Sequence, residues 1–178
     1  ADLYKTTNDK RYLDAAVKAS DWLCSISDND GKWARYTYNG IPHAYHSRVA
    51  WALFVMADLT SSDLYRETAL RNIGWVMSLA SDNGWIDLMG FSQDELPLTH
   101  TIAYTLRGLL ESSHYLEGDL KQQVRGLVIS NSERIFLKYE KRKRHPNASP
   151  EYLAGRFNAK WQSAASFSCL TGNAQIAI

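Results

Sequence analysis

A chain of 178 residues that is 45% hydrophobic, with six Trp and ten Tyr, has enough apolar surface for one buried core and too many aromatics for a disordered segment. Its formal charge of +1, from 20 Lys and Arg against 19 Asp and Glu, gives no electrostatic reason to expect nucleic acid or an anionic membrane as partner. No apolar run reaches the roughly 18 residues of a membrane span and no signal-peptide pattern opens the chain, so a soluble, cytoplasmic location is the expectation.

In chain order, the opening residues lack a Met and read as the tail of a preceding helix, so one domain over residues 1–178, cut from a longer chain, is the expectation. The segment YLDAAVKASDWLCSISDNDGKW, from Tyr12 to Trp33, then has the periodicity of a helix ending in a tight turn. A second copy follows in YRETALRNIGWVMSLASDNGW: Tyr12, Ala16, Trp22 and Gly31 match Tyr65, Ala69, Trp75 and Gly84, every pair 53 positions apart. The same offset carries Ala50 and Trp51 onto Ala103 and Tyr104, and Leu53 onto Leu106. A repeat two helices long is therefore expected.

The two helices of a unit differ. Tyr65, Ala69, Ile73, Val76 and Ala80 form one stripe, with Arg66, Glu67, Arg71 and Ser78 elsewhere, as in a helix with one face in water. The run from Val49 to Ala57 is apolar all round and predicts an inner helix enclosed on every side. A third outer helix is read from Leu120, Val124, Leu127 and Ile135. The basic run from Lys138 to His145 and the Pro146 to Pro150 stretch read as a solvated excursion, after which SFSCLTGNAQIAI begins a third inner helix. Cys24 and Cys169 fall far apart in this scheme, so two free thiols are expected rather than a disulfide. Outer and inner helices alternating at about 50 residues describe an all-α, α/α-hairpin chain of roughly six helices, about half of a closed toroid.

The period, the Asn-Gly-Trp hairpin end and the inner-helix starts resemble the α/α-toroid superfamilies, which include terpenoid cyclases, lanthionine synthetases and six-hairpin glycosidases and polysaccharide lyases. PLTHTIAYTLRGLLES (Pro97–Ser112) and GRFNAKWQSAASFSCLTGNAQIAI (Gly155–Ile178) resemble, more narrowly, a bacterial family found with exopolysaccharide biosynthesis, some of whose members are labelled delta-aminolevulinic acid dehydratase. A true dehydratase is a β/α barrel with a Schiff-base lysine, and no strand-helix alternation is present here. The terpene-protonating Asp-x-Asp-Asp is missing, and Leu170 in SCLTGNA stands where the Cys-His-Gly pair of lanthionine synthetases has His.

A toroid gathers its inner-helix starts around one mouth, which would bring together His46, His100 and the segment from Cys169 to Asn173. Imidazoles there suit proton transfer, or simply bond to the preceding loop. Asp94 and Glu95, with Asp87, lie in the loop before the second inner helix and are candidates for glycosidase-type acid catalysis, or for capping and solvation. Arg48 and Arg107 on inner helices, and Arg156 in the GRFNAKW loop, suit a carboxylate, unless acids such as Asp58, Glu95 or Glu111 neutralise them. Tyr36, Tyr45, Tyr104 and Trp161 offer flat faces to a sugar, and Asn173 an amide, whereas Trp33 and Trp85 are expected to staple hairpins. His46, His100 and Cys169 are the one trio with zinc-ligand chemistry, but the expected site holds no metal and no cofactor. The implied ligand is an oligo- or polysaccharide, with uronic acids favoured by the helix N-termini at the mouth and chemistry, if any, of lyase, epimerase or hydrolase type. A prenyl-handling enzyme and a non-catalytic scaffold are the alternatives, and the rest of the chain or a second copy is the expected protein partner.

Overall fold

The computed structural model describes residues 1–143 and 153–178, the side chains of 139–143 aside. The basic run read as an excursion begins inside α6, which continues to Lys143; Arg144, His145 and the Pro146 to Pro150 stretch lie outside the described residues. The described residues form seven helices: α1 (Asp2–Thr7), α2 (Lys10–Ile26), α3 (Ser47–Thr60), α4 (Asp63–Ser78), α5 (Thr99–Ser112), α6 (Gly118–Lys143) and α7 (Leu170–Ile176). Among them strand pairing is limited to three isolated bridges, so the chain is all-α.

The outer helices α2 and α4 start with side-chain caps. Asp9 accepts from the Arg11 N–H at 2.9 Å to start α2, and Ser62 accepts from the Tyr65 N–H at 3.4 Å to start α4. The start of α5 has no such cap; its Thr99 N–H goes instead to the Gly155 carbonyl at 2.9 Å, and the Thr99 hydroxyl to the Ala154 carbonyl at 2.6 Å. A distant segment thus satisfies donors that a helix terminus leaves orphaned.

The stripe read on α4 is buried through Val76, with Tyr65, Ala69, Ile73 and Val76 all inside, while Ala80 lies past the end of the helix and is half-buried. They meet Leu53 and Phe54 of α3, while Ile102 and Leu109 of α5 and Val124 and Ile135 of α6 continue the same core. Each large side chain so enclosed contributes about 2 to 3 kcal/mol of burial. Trp33 and Trp85 are buried staples, the Trp33 indole donating to the Leu23 carbonyl at 2.8 Å. The two turns beside them dock alike. Asn72 of α4 donates to the Gly31 carbonyl at 2.9 Å, and Asn131 of α6 to the Gly84 carbonyl at 2.8 Å.

Helices α3 and α5 lie side by side in the same direction, since Ser47 bonds to the Thr105 carbonyl at 3.0 Å and Phe54 stacks on Tyr115 with ring centroids 5.2 Å apart. Gly108 makes this possible, because a Cβ there would sit 2.5 Å from the Arg48 nitrogen. The start of α3 is therefore level with the second half of α5 rather than with its start.

One expectation is corrected. Helix α3 is not enclosed on every side: Ala52 is exposed, and Trp51 and Val55 line a cleft opposite Ala16, Ala19 and Leu23 of α2. The small residues of α2 leave that side unfilled, although the sequence of α3 is apolar there.

Candidate functional site

The loop before α3 is tied to the loop before α5 at three points. Ala44 N–H donates to the Leu88 carbonyl at 2.9 Å, Asn39 to the Phe91 carbonyl at 3.0 Å, and the fully buried His43 ring lies between the Gly90 and Tyr38 carbonyls at 2.9 Å each. Both ring nitrogens of His43 face acceptors, so a neutral ring donates to only one of them. His43 is a latch rather than an exposed group, and it holds its neighbours in place.

Those neighbours form a continuous run of rings. Trp33 meets His46 edge-on at 6.1 Å, His46 meets Tyr45 at 5.3 Å, and Tyr45 meets Phe91 at 6.1 Å. Phe91 leads to His100 at 5.6 Å, and His100 to Tyr104 at 5.4 Å. The Arg48 guanidinium lies 4.3 Å from the centre of the Tyr104 ring. Among the described residues no carboxylate stands within ion-pair distance of it.

At the far end of the run, Cys169 and His100 meet. The thiol sulfur lies 3.6 Å from His100 Nδ1 and accepts the Gly172 N–H at 3.4 Å. Gly172 presses this corner together, because a Cβ there would come within 2.7 Å of the His100 backbone nitrogen and 2.8 Å of the Thr99 Cβ. Gly172→Ala is expected to push α7 away from α5 at a cost of about 2 kcal/mol. Faster alkylation of Cys169 by iodoacetamide, at unchanged Cys24 reactivity, reads that separation.

Burial sets the protonation of the site. Desolvation, reinforced by the neighbouring His43, pulls His46 down to about 4, and desolvation alone lowers His100. Both rings are neutral near pH 7, able to accept a proton. Burial, with Tyr38 adding to it, pushes the Tyr45 hydroxyl up to about 12, so it remains a donor.

The other sequence candidates divide. Tyr45 is part of the ring run, whereas Tyr36, 80% exposed, touches Trp22 outside it. Arg107 is paired with Glu111 one turn on at 2.7 Å. Arg156 bonds to both the Glu95 carboxylate and the Leu96 carbonyl, clipping the loop before α5 to the segment after residue 152. Asp94 and Glu95 are both exposed on that loop, whereas Trp161 is buried against Trp85 at 5.2 Å and donates to the Asn83 carbonyl at 3.2 Å. Asn173 donates to Ser168 at 3.0 Å, leaving its carbonyl oxygen buried without a partner among the described residues.

His46, His100 and Cys169 do not converge as a trio. Only the last two meet, because the stagger of α3 carries His46 past the start of α5 to the other side of Tyr45 and Phe91. Among the described residues no three His, Cys, Asp or Glu side chains are grouped as metal ligands would be. No described helix is long and apolar enough to cross a membrane. His43 and Phe91 are the site residues that sequence reasoning passed over. His43 shares the short IPHAYH motif with His46, which is the one signal that pointed to it.

Compared with known proteins, the chain matches no family model, no curated protein and no solved structure.

Proposed function

We propose that this domain is an arc of an α/α toroid that binds an acidic oligosaccharide along the ring run between Trp33 and Tyr104. The observation that carries the reading is Arg48, held over Tyr104 beside His100 with no carboxylate partner among the described residues. A row of aromatic rings set edge to face, with one available guanidinium, suits a pyranose whose ring carries a carboxylate. The toroid part draws on the like docking of Gly31 on Asn72 and Gly84 on Asn131, and on the shared direction of α3 and α5. If the sugar is also processed, neutral His100 is the group placed to take a proton from the carbon or hydroxyl next to the bound carboxylate.

The test is a titration of the domain with uronic oligosaccharides, followed by tryptophan fluorescence. Arg48→Gln is expected to weaken binding at least tenfold, about 1.4 kcal/mol, while leaving binding of uncharged oligosaccharides within twofold. Binding of isoprenoid diphosphates in preference to any sugar would replace this reading with the prenyl one. Binding of neither class, with a folded domain, would leave the scaffold.

A further inference from the structure

Among the described residues, α3, α5 and α7 pack in a row, and an apolar face stays open on each of its two end helices. The first is the cleft of about 430 Å³ on α3, where Trp51, Ala52 and Val55 face Ala16 and Ala19 of α2. Its charged lining groups are Asp2 and Arg48. The second face is on α7. Gly172 turns one side of that helix onto the start of α5. The other side carries Leu170, Ala174 and, just past the helix end, Ile178, spaced by four and all exposed, with Leu170 at 78%. A single exposed leucine is ordinary, but an apolar stripe at helical spacing is the pattern of a face that packs.

The contact between α3 and α5 indicates what the open side of α3 is shaped to take. The 53-residue offset pairs Ala52 and Val55 with Thr105 and Gly108 of α5. Those two residues receive α3: the Thr105 carbonyl accepts the Ser47 hydroxyl at 3.0 Å, and a Cβ on Gly108 would lie 2.3 Å from the same oxygen. The contact between α5 and α7 has the same form, with Thr99 and His100 at the start of α5 set against Gly172. In each case the start of one helix seats on the side of the next. On α3 the matching place is the cleft, and on α7 the start is the exposed Leu170. Val55 stands where α5 has glycine, so a helix docking there sits farther out, and a long apolar side chain is needed to bridge the gap.

We propose that the exposed stripe of α7 docks head to tail into the α2–α3 cleft of a second copy of this chain. Leu170 enters beside Trp51 and Val55, above the small side chains of Ala16 and Ala19, and removes apolar surface from water on both partners. Helix α7 bears no charged side chain, so it brings no ion to be buried in the cleft. Because two different faces meet, each copy keeps a free cleft or a free stripe until a ring closes. One such junction is small beside a standard interface, so association is reversible and falls in the micromolar range.

Sedimentation equilibrium of the domain tests this with no sugar present, so its outcome is independent of the carbohydrate reading. The expected mass rises above that of one copy across the micromolar range. Leu170→Lys and Ala52→Lys change exposed side chains on the two faces, so each should keep the parent's melting temperature and weaken association at least tenfold. Mixing the two variants is the decisive arm. One retains an intact cleft and the other an intact stripe, so a species of two copies, and none larger, should return. A mass of one copy at every concentration of the parent overturns the proposal. Association that survives Leu170→Lys also overturns it, because the contact then lies elsewhere. So does a mixture of the two folded variants that stays at one copy while the parent associates, because the cleft and the stripe then do not meet.

Discussion

Gly31→Ala is expected to be among the most damaging single-methyl changes in this chain, at about 3 to 4 kcal/mol. Two costs add. The residue sits at φ 91°, where an L side chain is strained, and a Cβ would come within 2.3 Å of both the carbonyl carbon and oxygen of Arg71. Those are backbone atoms inside α4, so relief requires moving the turn away from the helix. That movement also breaks the Asn72 bond to the Gly31 carbonyl. Gly84→Ala tests the same logic at the matching turn. There φ is 77°, and the nearest atom is the Asn131 side-chain oxygen at 2.6 Å, which can rotate away. A smaller loss of about 1 to 2 kcal/mol is expected. Urea unfolding compares the two: the midpoint of Gly31→Ala should fall about twice as far, with the denaturant slope unchanged. Equal losses would mean that strain at the turn outweighs its docking.

What the sequence revealed follows the range of the interaction concerned. The α4 stripe, the turn glycines and the stapling tryptophans depend on local period and turn chemistry, and each lies in the structure where the pattern put it. The pairing of Arg107 with Glu111 is also local, one helical turn, and was among the alternatives open from sequence. The separation of His46 from His100 was not legible, because the stagger between α3 and α5 is decided at Gly108 and Ser47, 61 positions apart. Likewise Arg156 finds Glu95 across 61 positions, and Trp161 finds Trp85. Nothing in local hydrophobicity distinguishes a tryptophan packed under a loop from one facing a ligand. The open side of α3 escaped for the opposite reason: its own sequence is apolar throughout, and the space is left by the small side chains of α2.

Acidification from pH 6.5 to 4 is expected to destabilise the domain through His46. In the unfolded chain this histidine takes up a proton near 6.5; in the folded domain burial and His43 hold it down to about 4. Between those values the unfolded state binds more protons, so stability rises with pH and is lost as pH falls through the window. The stabilisation is fully present above about 6.5 and amounts to about 3 kcal/mol when integrated down to the folded value. Lowered His100 acts in the same direction. His46→Phe keeps a ring against Trp33, His43 and Tyr45, removes the titrating group, and eliminates the unpartnered buried Nδ1. Its unfolding free energy at pH 7 should match or exceed that of the parent, and its loss between pH 6.5 and 4 should be smaller by about 2 to 3 kcal/mol. Denaturation at closely spaced pH values measures both curves, and parallel curves would show that the folded ring gains its proton as easily as the unfolded one.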